Sequence, residues 1–580
     1  MMDIELKTAA IAGYERVAAW SDLLDDINVY PVPDADTGRN LKISLAPIKA
    51  LLNDDGRIAG QLLRSATGNS GNIAAAFFSE FLSATSAAQL PQKVASGNRK
   101  ARAAIAGPQP GTMLTVFENL SAALEGSPAA TEIVHTLVEA VRATPDLLPE
   151  LEQAGVVDSG ALGMFLFFEG FFKTLYEEKP VFLSLSETFG RKLQLQKPPA
   201  GPEPDEVCIN TLIRTDKNLT ELSRKLQAVG SSIVTVKEGD QLKIHLHARD
   251  LDMVRRKLAS WGDLVEWGAE TIATGATRQT QTENVHIVTD AAGSITRQTA
   301  DRLGITLMDS YIITGDRACP ETAFGPESLY ADMLAGRRVS TAQTSLFERQ
   351  QSYESLCSRF KRVVYLCVGS AYTGIYRAAR DWQAANQAQA EGLTILDSGA
   401  ASGRLGLTAL AVAEFANRGK PLTEVVAYAK AAFENCRELV FLDQLKYLAN
   451  GGRISKTSGF FGDLLGVKPV ISPLADGVKK IGVVRKSARQ VPLALDYFTS
   501  RIETGSKARI LLQYTDNRDR VTRDIQPEIE SAFPRAAVTL TPLSLTSGVH
   551  MGPGTWAVAI LPDMKFEARI SKSETNSKSK

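Results

Sequence analysis

The spacing at which apolar residues recur changes twice along this chain, and that change constrains the fold more than any other feature. Over residues 1–185, Ala and Leu return at helical spacing, as in TAAIAGYERVAAWSDLLDDI, NIAAAFFSEFLSATSAAQL and ATEIVHTLVEAVRATPDLLPELEQAG, which predicts an all-α domain. Between 206 and 272 the period falls to two. EVCINTLIRT, SSIVTVKEG, QLKIHLHA and LVEWGAETI alternate like strands around two helical stretches. Their order β-α-β-β-α-β predicts a small ferredoxin-like α+β module. From His286 onward, short β-rich segments such as VHIVTDA, RVVYLCVGS and GTWAVAILP alternate with helices, which predicts α/β layers with parallel strands. The Pro-rich stretch 194–206 and the polar stretch 273–284 read as linkers, and 566–580 as a solvated tail. The expected architecture is multidomain: an all-α domain over 1–190, a middle α+β domain over 206–272, and an α/β domain over 285–565.

Charge narrows the function classes. Lys and Arg total 65, as do Asp and Glu, so no bulk field draws the chain onto nucleic acid or holds it on an anionic membrane; membrane-surface contact is expected to be transient at most. The zero is a cancellation between segments. Residues 1–200 hold 17 basic and 23 acidic side chains, 201–300 hold 12 and 14, and 301–580 hold 36 and 28. An acidic first half and a basic last half predict electrostatic docking, within or between chains. Five cysteines with no CxxC pair exclude a disulfide scaffold. No apolar run reaches membrane-spanning length and the N-terminus has no signal-peptide pattern, so the expected compartment is the cytoplasm.

Three sets of residues carry chemistry. In Asn28-Val-Tyr-Pro-Val-Pro-Asp34-Ala-Asp36-Thr37-Gly38-Arg39-Asn40, two carboxylates stand two apart in a loop that prolines and a glycine keep from becoming helical. Hard oxygen ligands so placed suit Mg²⁺ bridging to phosphate oxygens, and the competing reading is an acidic N-cap of the next helix. Ser65-Ala-Thr67-Gly68-Asn69-Ser70-Gly71-Asn72 precedes an expected helix at 73–83, while Gly111-Thr112-Met113 and Val157-Asp158-Ser159-Gly160 also open helices. Helix N-termini rich in glycine suit phosphate, and no P-loop motif competes with them.

The second set lies in the middle module. His245 and His247 alternate on one strand and so share a face, and Cys208 lies on a strand able to sit beside it. One thiolate and two imidazoles are good Zn²⁺ ligands, expected here in a structural or docking role; the alternative is a buried Cys beside two sheet histidines. The third set is spread over the last domain: Thr341-Ala-Gln-Thr-Ser345, Ser370-Ala-Tyr-Thr373-Gly374, Gly451-Gly-Arg453-Ile-Ser455 and Gly548-Val-His550-Met-Gly-Pro-Gly554. Hydroxyls, one Arg and one His at strand-to-helix ends suit an anion-binding crevice, and the apolar stretch 458–474 suits the wall of a hydrophobic channel.

The helical elements, in this order, resemble the nucleotide-binding domain of dihydroxyacetone kinases, and especially the kinase component of bacterial fatty acid kinase. Its NVFPVPDGDTGTNM is similar to NVYPVPDADTGRNL here, and its GARGNSG to SATGNSG. The resemblance implies a helical-barrel kinase domain with Asp34 and Asp36 as Mg²⁺ ligands and Asn28 near a third acidic position. It further implies an ATP site containing Thr37, Asn40, Gly68, Asn69, Ser70, Gly71, Gly111, Thr112, Asp158 and Gly160. The middle domain of the same component has a similar Cys and HxH strand, which supports the zinc reading. IVTDAAGSI, GSAYTGIYRAA, LKYLANGGRIS and GVHMGPG are similar to signatures of the DegV family, whose members bind a fatty acid. That resemblance implies a two-lobed α/β domain, with a fatty-acid carboxylate held around Thr341, Ser370, Thr373, Gly374, Arg453 and His550.

Taken together the resemblances imply a kinase and its fatty-acid carrier in one chain. Such a chain makes acyl phosphate from ATP, dimerises through its kinase half and passes the product to an acyltransferase. Departures stand at Ala35 for a family glycine, Arg39 for Thr, Thr67 for Arg, and Pro110 for an acidic residue. They leave two alternatives: a non-catalytic lipid-binding protein with a degenerate kinase site, and a polyol kinase of the dihydroxyacetone type.

Overall fold

The computed structural model describes residues 2–53, 56–126, 129–197, 206–272, 284–315, 317–450, 467–502 and 505–564. It divides into two compact units rather than three modules, because the middle domain merges with the helical one. The first unit comprises residues 1–279 with 313–323 and 344–358, and the second comprises 280–312, 324–343 and 359–580. Two short segments of the expected third domain therefore fold into the first unit.

In the first unit the helix Ser159–Tyr176 is the axis. Asp158 caps it, its Oδ1 accepting from the Ala161 N–H at 2.7 Å, and residues 159–173 are all buried. A helix apolar on every side must sit among other helices, and here Phe167, Phe168 and Phe171 pack into a cluster with Phe77, Phe78, Phe81 and Phe117. The first helix, Ile4–Ala19, lies against it and is fixed by a buried ion pair, Arg16 to Glu169 at 2.5 Å. The same guanidinium donates to Gln351 Oε1 at 2.6 Å and lies over the Phe182 ring. Lys49 binds both Glu15 (2.9 Å) and Glu348 (2.6 Å). These contacts recruit the segment 344–358 to the first unit.

The middle domain forms the expected β-α-β-β-α-β. Its sheet runs Ser231–Glu238, Gln241–Ala248, Val207–Arg214, Asp263–Thr271, with every neighbouring pair antiparallel. On one face Ile209, Ile213, Ile244 and Leu246 pack on Leu222, Leu226, Val254 and Leu258 of the domain's own helices. On the other, Leu212, Val234 and Val236 pack on Leu63, Ala76 and Ala104 of the preceding helical region. Both faces of this sheet therefore carry apolar residues buried against helices, which is why two expected domains become one unit.

The second unit has two lobes, each with its own sheet and core. One sheet is wholly parallel, in the order Leu393–Asp397, Val363–Cys367, His286–Asp290, Ile305–Met308. The other departs from the parallel expectation. Its six strands run Gly477–Val484, Lys468–Leu474, Arg437–Phe441, Trp556–Pro562, Ala508–Tyr514, Ala536–Pro542, and only the last pair is parallel. The two-residue turn Ala475-Asp476 forces a hairpin between the first two strands, since parallel neighbours need a long crossover. No helix among the described residues is long and apolar enough to cross a membrane.

Candidate functional site

A cavity of about 340 Å³ opens in the first unit, and both halves of that unit line it. Asp34 and Asp36 stand on its floor. Asp36 occupies the N-cap position of the helix Thr37–Ser44, yet its carboxylate makes no capping bond. This removes the support for the cap reading and leaves the carboxylate to the cavity. Asn28 orients its neighbour, donating from Nδ2 to Asp34 Oδ1 (3.1 Å) and to the Val32 carbonyl (2.7 Å), while its Oδ1 accepts from the Thr37 hydroxyl. Its oxygen is thus engaged within the protein, so Asn28 holds the acidic loop. Burial first, and then the Asp36 charge, raise the pKa of Asp34; the Arg39 charge opposes them. Two half-buried carboxylates that repel each other fit a divalent cation, which would relieve both burial and repulsion.

Ala35, between them, has φ +55°, the left-handed region that glycine adopts freely and an alanine does not. The bond Tyr30–Pro31 in the same loop is cis.

The helix expected at 73–83 begins earlier, at Gly68, and runs to Phe81. The extended Thr67 and the positive φ of Gly68 (+64°) start it, so Gly68–Asn72 forms its first turn and presents N–H groups rather than preceding it as a loop. Gly68, Asn69 and Ser70 line the cavity, as do Thr37, Thr112, Asp158 and Gly160. Asn40, Gly71 and Gly111 are not among its lining residues. Gly71 lies where two helices cross, since a Cβ there would stand 2.0 Å from Ser44 Oγ. Asn40 sits equally close behind Gly68, and Gly111 donates its N–H to Thr115 Oγ1 at 2.8 Å. Burial raises the Asp158 carboxyl to about 7, against the backbone N–H bonds it accepts.

The opposite wall comes from the middle domain, through Ser232, Ile233, Val234, His245 and His247. Antiparallel pairing sets Cys208 opposite His247 and Asn210 opposite His245, so all four share one face. The ligating atoms of Cys208, His245 and His247 lie within 4.8 Å of one another. Both imidazoles are 1% exposed; His245 Nε2 and both nitrogens of His247 have no hydrogen-bond partner among the described residues. Burial pulls both histidines down, so they are neutral and able to ligate. It also pushes the Cys208 thiol up to about 12, aided by the Asp36 and Asp34 charges. Buried nitrogens without partners beside a thiol fit Zn²⁺, a cation that would hold the sulfur as thiolate. His245 and His247, expected in a structural or docking centre, thus border the same cavity as the acidic pair. Strand alternation shows which residues share a face but not what that face meets.

In the second unit, Thr341 Oγ1 and His550 Nε2 meet at 3.3 Å although 209 positions separate them. Ser370 is engaged otherwise, its hydroxyl donating to Asp397 Oδ2 at 2.5 Å. Thr373 Oγ1 accepts from the Ile375 N–H at 3.3 Å, and Gly374 caps the helix Ile375–Ala385. Arg453 and the start of the apolar stretch, 458–466, lie outside the described residues.

Three family models match this chain in order. The DAK2 domain matches residues 31–173, the FakA-like middle domain of fatty acid kinase matches 206–279, and "Uncharacterised protein, DegV family" matches 284–563. The chain therefore joins a DAK2 domain, a FakA-like middle domain and a DegV domain, a fatty acid kinase-type organisation.

Among curated relatives, an uncharacterised protein of Staphylococcus epidermidis is 26% identical over 358 residues, 53% of this chain and 63% of that one. Protein YloV of Bacillus subtilis is 27% identical over 291 residues, 44% of this chain and 53% of that one. The chain thus spans between about half and two-thirds of the length of these relatives. Solved structures similar to it include a fatty-acid-binding DegV family protein of Thermus thermophilus (22% identity, TM-score 0.45, 48% of this chain and all of that one). Another is DegV, a fatty acid binding protein from Bacillus subtilis (18% identity, TM-score 0.44, 48% of this chain and 99% of that one).

Proposed function

We propose that this protein is an ATP-dependent fatty acid kinase, which phosphorylates the carboxylate of a fatty acid held by its own DegV domain and releases acyl phosphate and ADP. The observation that carries the reading is one cavity bordered by Asp34, Asp36, the first turn of the 68–81 helix, Thr112, His245 and His247, with Cys208 grouped beside the two histidines. Asp34 and Asp36 hold Mg²⁺, which when bound neutralises charge on the transferred phosphoryl group. N–H groups of the first turn, at Asn69 and Ser70, orient the phosphates, and the Asn28 carboxamide keeps Asp34 turned to the cavity. A carboxylate oxygen attacks the γ-phosphorus as the bond to the β-phosphate oxygen breaks. The acceptor is already ionised near neutrality, so the chain needs no general base. Cys208, His245 and His247 would hold Zn²⁺, which would supply positive charge at the middle-domain wall. In the DegV domain Thr341 and His550, with Arg453, Thr373 and Gly374, hold the fatty acid carboxylate.

The test is ATP-dependent acyl phosphate formation by the purified full chain with oleate or palmitate, trapped as the hydroxamate. Activity is expected in the wild type and lost in Asp36→Ala. Equal signals from the two proteins would overturn the kinase reading, and no fatty acid in lipid extracted from the protein would remove the carrier.

A further inference from the structure

One side chain that the sequence did not single out touches both the Cys/His/His cluster and the helix that opens at Gly68. Asn210 lies on the same strand as Cys208 and directly opposite His245. Its Oδ1 is 3.2 Å from the Gly68 amide nitrogen and 3.0 Å from His245 Nδ1, and its Nδ2 donates to Cys208 Sγ at 3.4 Å. The orientation of the carboxamide follows from Gly68: a backbone N–H only donates, so the atom facing it is the oxygen. The same oxygen faces His245 Nδ1, so that nitrogen carries the ring proton. The lone pair is then on Nε2, the buried nitrogen with no partner among the described residues. His245 Nδ1 also lies 3.7 Å from Cys208 Sγ, which sets that sulfur beside the bonded pair. Gly68 has little freedom to drift away, since its φ is +64° and a Cβ there would stand 1.9 Å from Asn40 Nδ2.

We infer that Asn210 is a positioning residue that couples the metal cluster to the nucleotide pocket. It fixes the metal-binding tautomer of His245 and ties that ring to the first turn of the 68–81 helix, so that metal and nucleotide each strengthen the binding of the other. This rests on the reading of the cluster as a zinc site and the cavity as a nucleotide site. Because the coupling is between two binding equilibria, it has the same size in both directions, about tenfold within the usual range of roughly 5–150-fold.

The full chain is stripped of metal and reloaded with Co²⁺, whose thiolate charge-transfer and visible bands report a sulfur–nitrogen site. Calorimetry then gives the Kd for ADP-Mg²⁺ with and without Co²⁺, in the wild type, Asn210→Ala and Asn210→Asp. In the wild type, Co²⁺ is expected to tighten nucleotide binding about tenfold. Asn210→Ala still binds Co²⁺, about 10–100-fold more weakly, and its nucleotide Kd responds less than about twofold to metal. Asn210→Asp keeps an acceptor for Gly68 and His245 but loses the donor to Cys208, so coupling survives while the thiolate band shifts.

Full coupling in Asn210→Ala, or none in a wild type that shows the cobalt bands, overturns the inference and leaves both site readings standing. Should Asn210→Ala fail to fold, loss of coupling in Asn210→Asp with an unshifted band overturns it equally. Absence of cobalt bands in the wild type overturns the zinc reading and this inference with it. Absence of nucleotide binding under every condition does the same through the nucleotide reading.

Discussion

Arg16 and Glu169 offer a quantitative test of what holds the first unit together. The pair is 1% and 0% exposed at 2.5 Å, and Glu169 Oε1 also accepts the Leu183 N–H at 2.7 Å. Glu169→Gln keeps an acceptor for Leu183 but takes away the guanidinium's paired carboxylate, leaving only the more distant charge of the half-buried Glu354. Breaking a buried pair from one side costs about 3–5 kcal/mol, because the remaining charge stays out of water. Arg16→Met costs less, about 2 kcal/mol, since Lys173 remains 3.6 Å from Glu169 and keeps it partnered. The double variant, with neither charge, is expected to be more stable than Glu169→Gln alone by at least about 2 kcal/mol. Hydrogen exchange by mass spectrometry on peptides covering 4–19 and 159–176 reads the opening free energy of these two helices locally, which a multidomain unfolding curve does not. Additive losses, with the double variant the least stable, would refute the claim that an uncompensated buried charge dominates here.

Other expectations follow from single positions. Ala35→Gly relieves a left-handed alanine, worth about 1–2 kcal/mol, against about 0.5–1 kcal/mol of extra unfolded-state freedom. A small rise in melting temperature is expected, and a fall would count against strain at φ +55°. Gly68→Ala combines φ +64° with a Cβ 1.9 Å from Asn40 Nδ2, so a loss of about 2 kcal/mol or more and weaker ADP binding by calorimetry are expected. Asp158 is raised to about 7 by burial, so the folded state binds its proton more tightly than the unfolded chain. Its contribution is complete below the ordinary carboxylate pKa and is lost as pH rises to about 7. Asp158→Asn should therefore flatten melting temperature against pH between about 4 and 7, and an unchanged slope would place the titration elsewhere.

Local chemistry was readable in the sequence to the extent that it is local. Strand alternation put His245 and His247 on one face, Thr112 and Asp158 cap the helices they precede, and the order β-α-β-β-α-β predicted the middle sheet. What depended on distant partners was not readable. Asp36 sits at a cap position, and only its missing capping bond separates ligand from cap. Gly71 has the neighbours of a phosphate loop but meets Ser44 across a helix crossing. Asn210 looked like an ordinary strand residue, because neither Gly68 nor His245 is near it in sequence. Apolar alternation cannot separate parallel from antiparallel neighbours, so the six-stranded sheet was misread.

The two-sided burial of the middle sheet means that a border drawn at residue 206 is not a seam in the folded molecule. A fragment comprising only 206–272 would turn Leu212, Val234 and Val236 toward water along with two imidazoles that the intact unit buries. It would be a sticky plate rather than a soluble module. The helices of residues 1–190, cut free in turn, would lose one wall of their cavity. Parting the two segments would therefore expose on each the surface that the other covers.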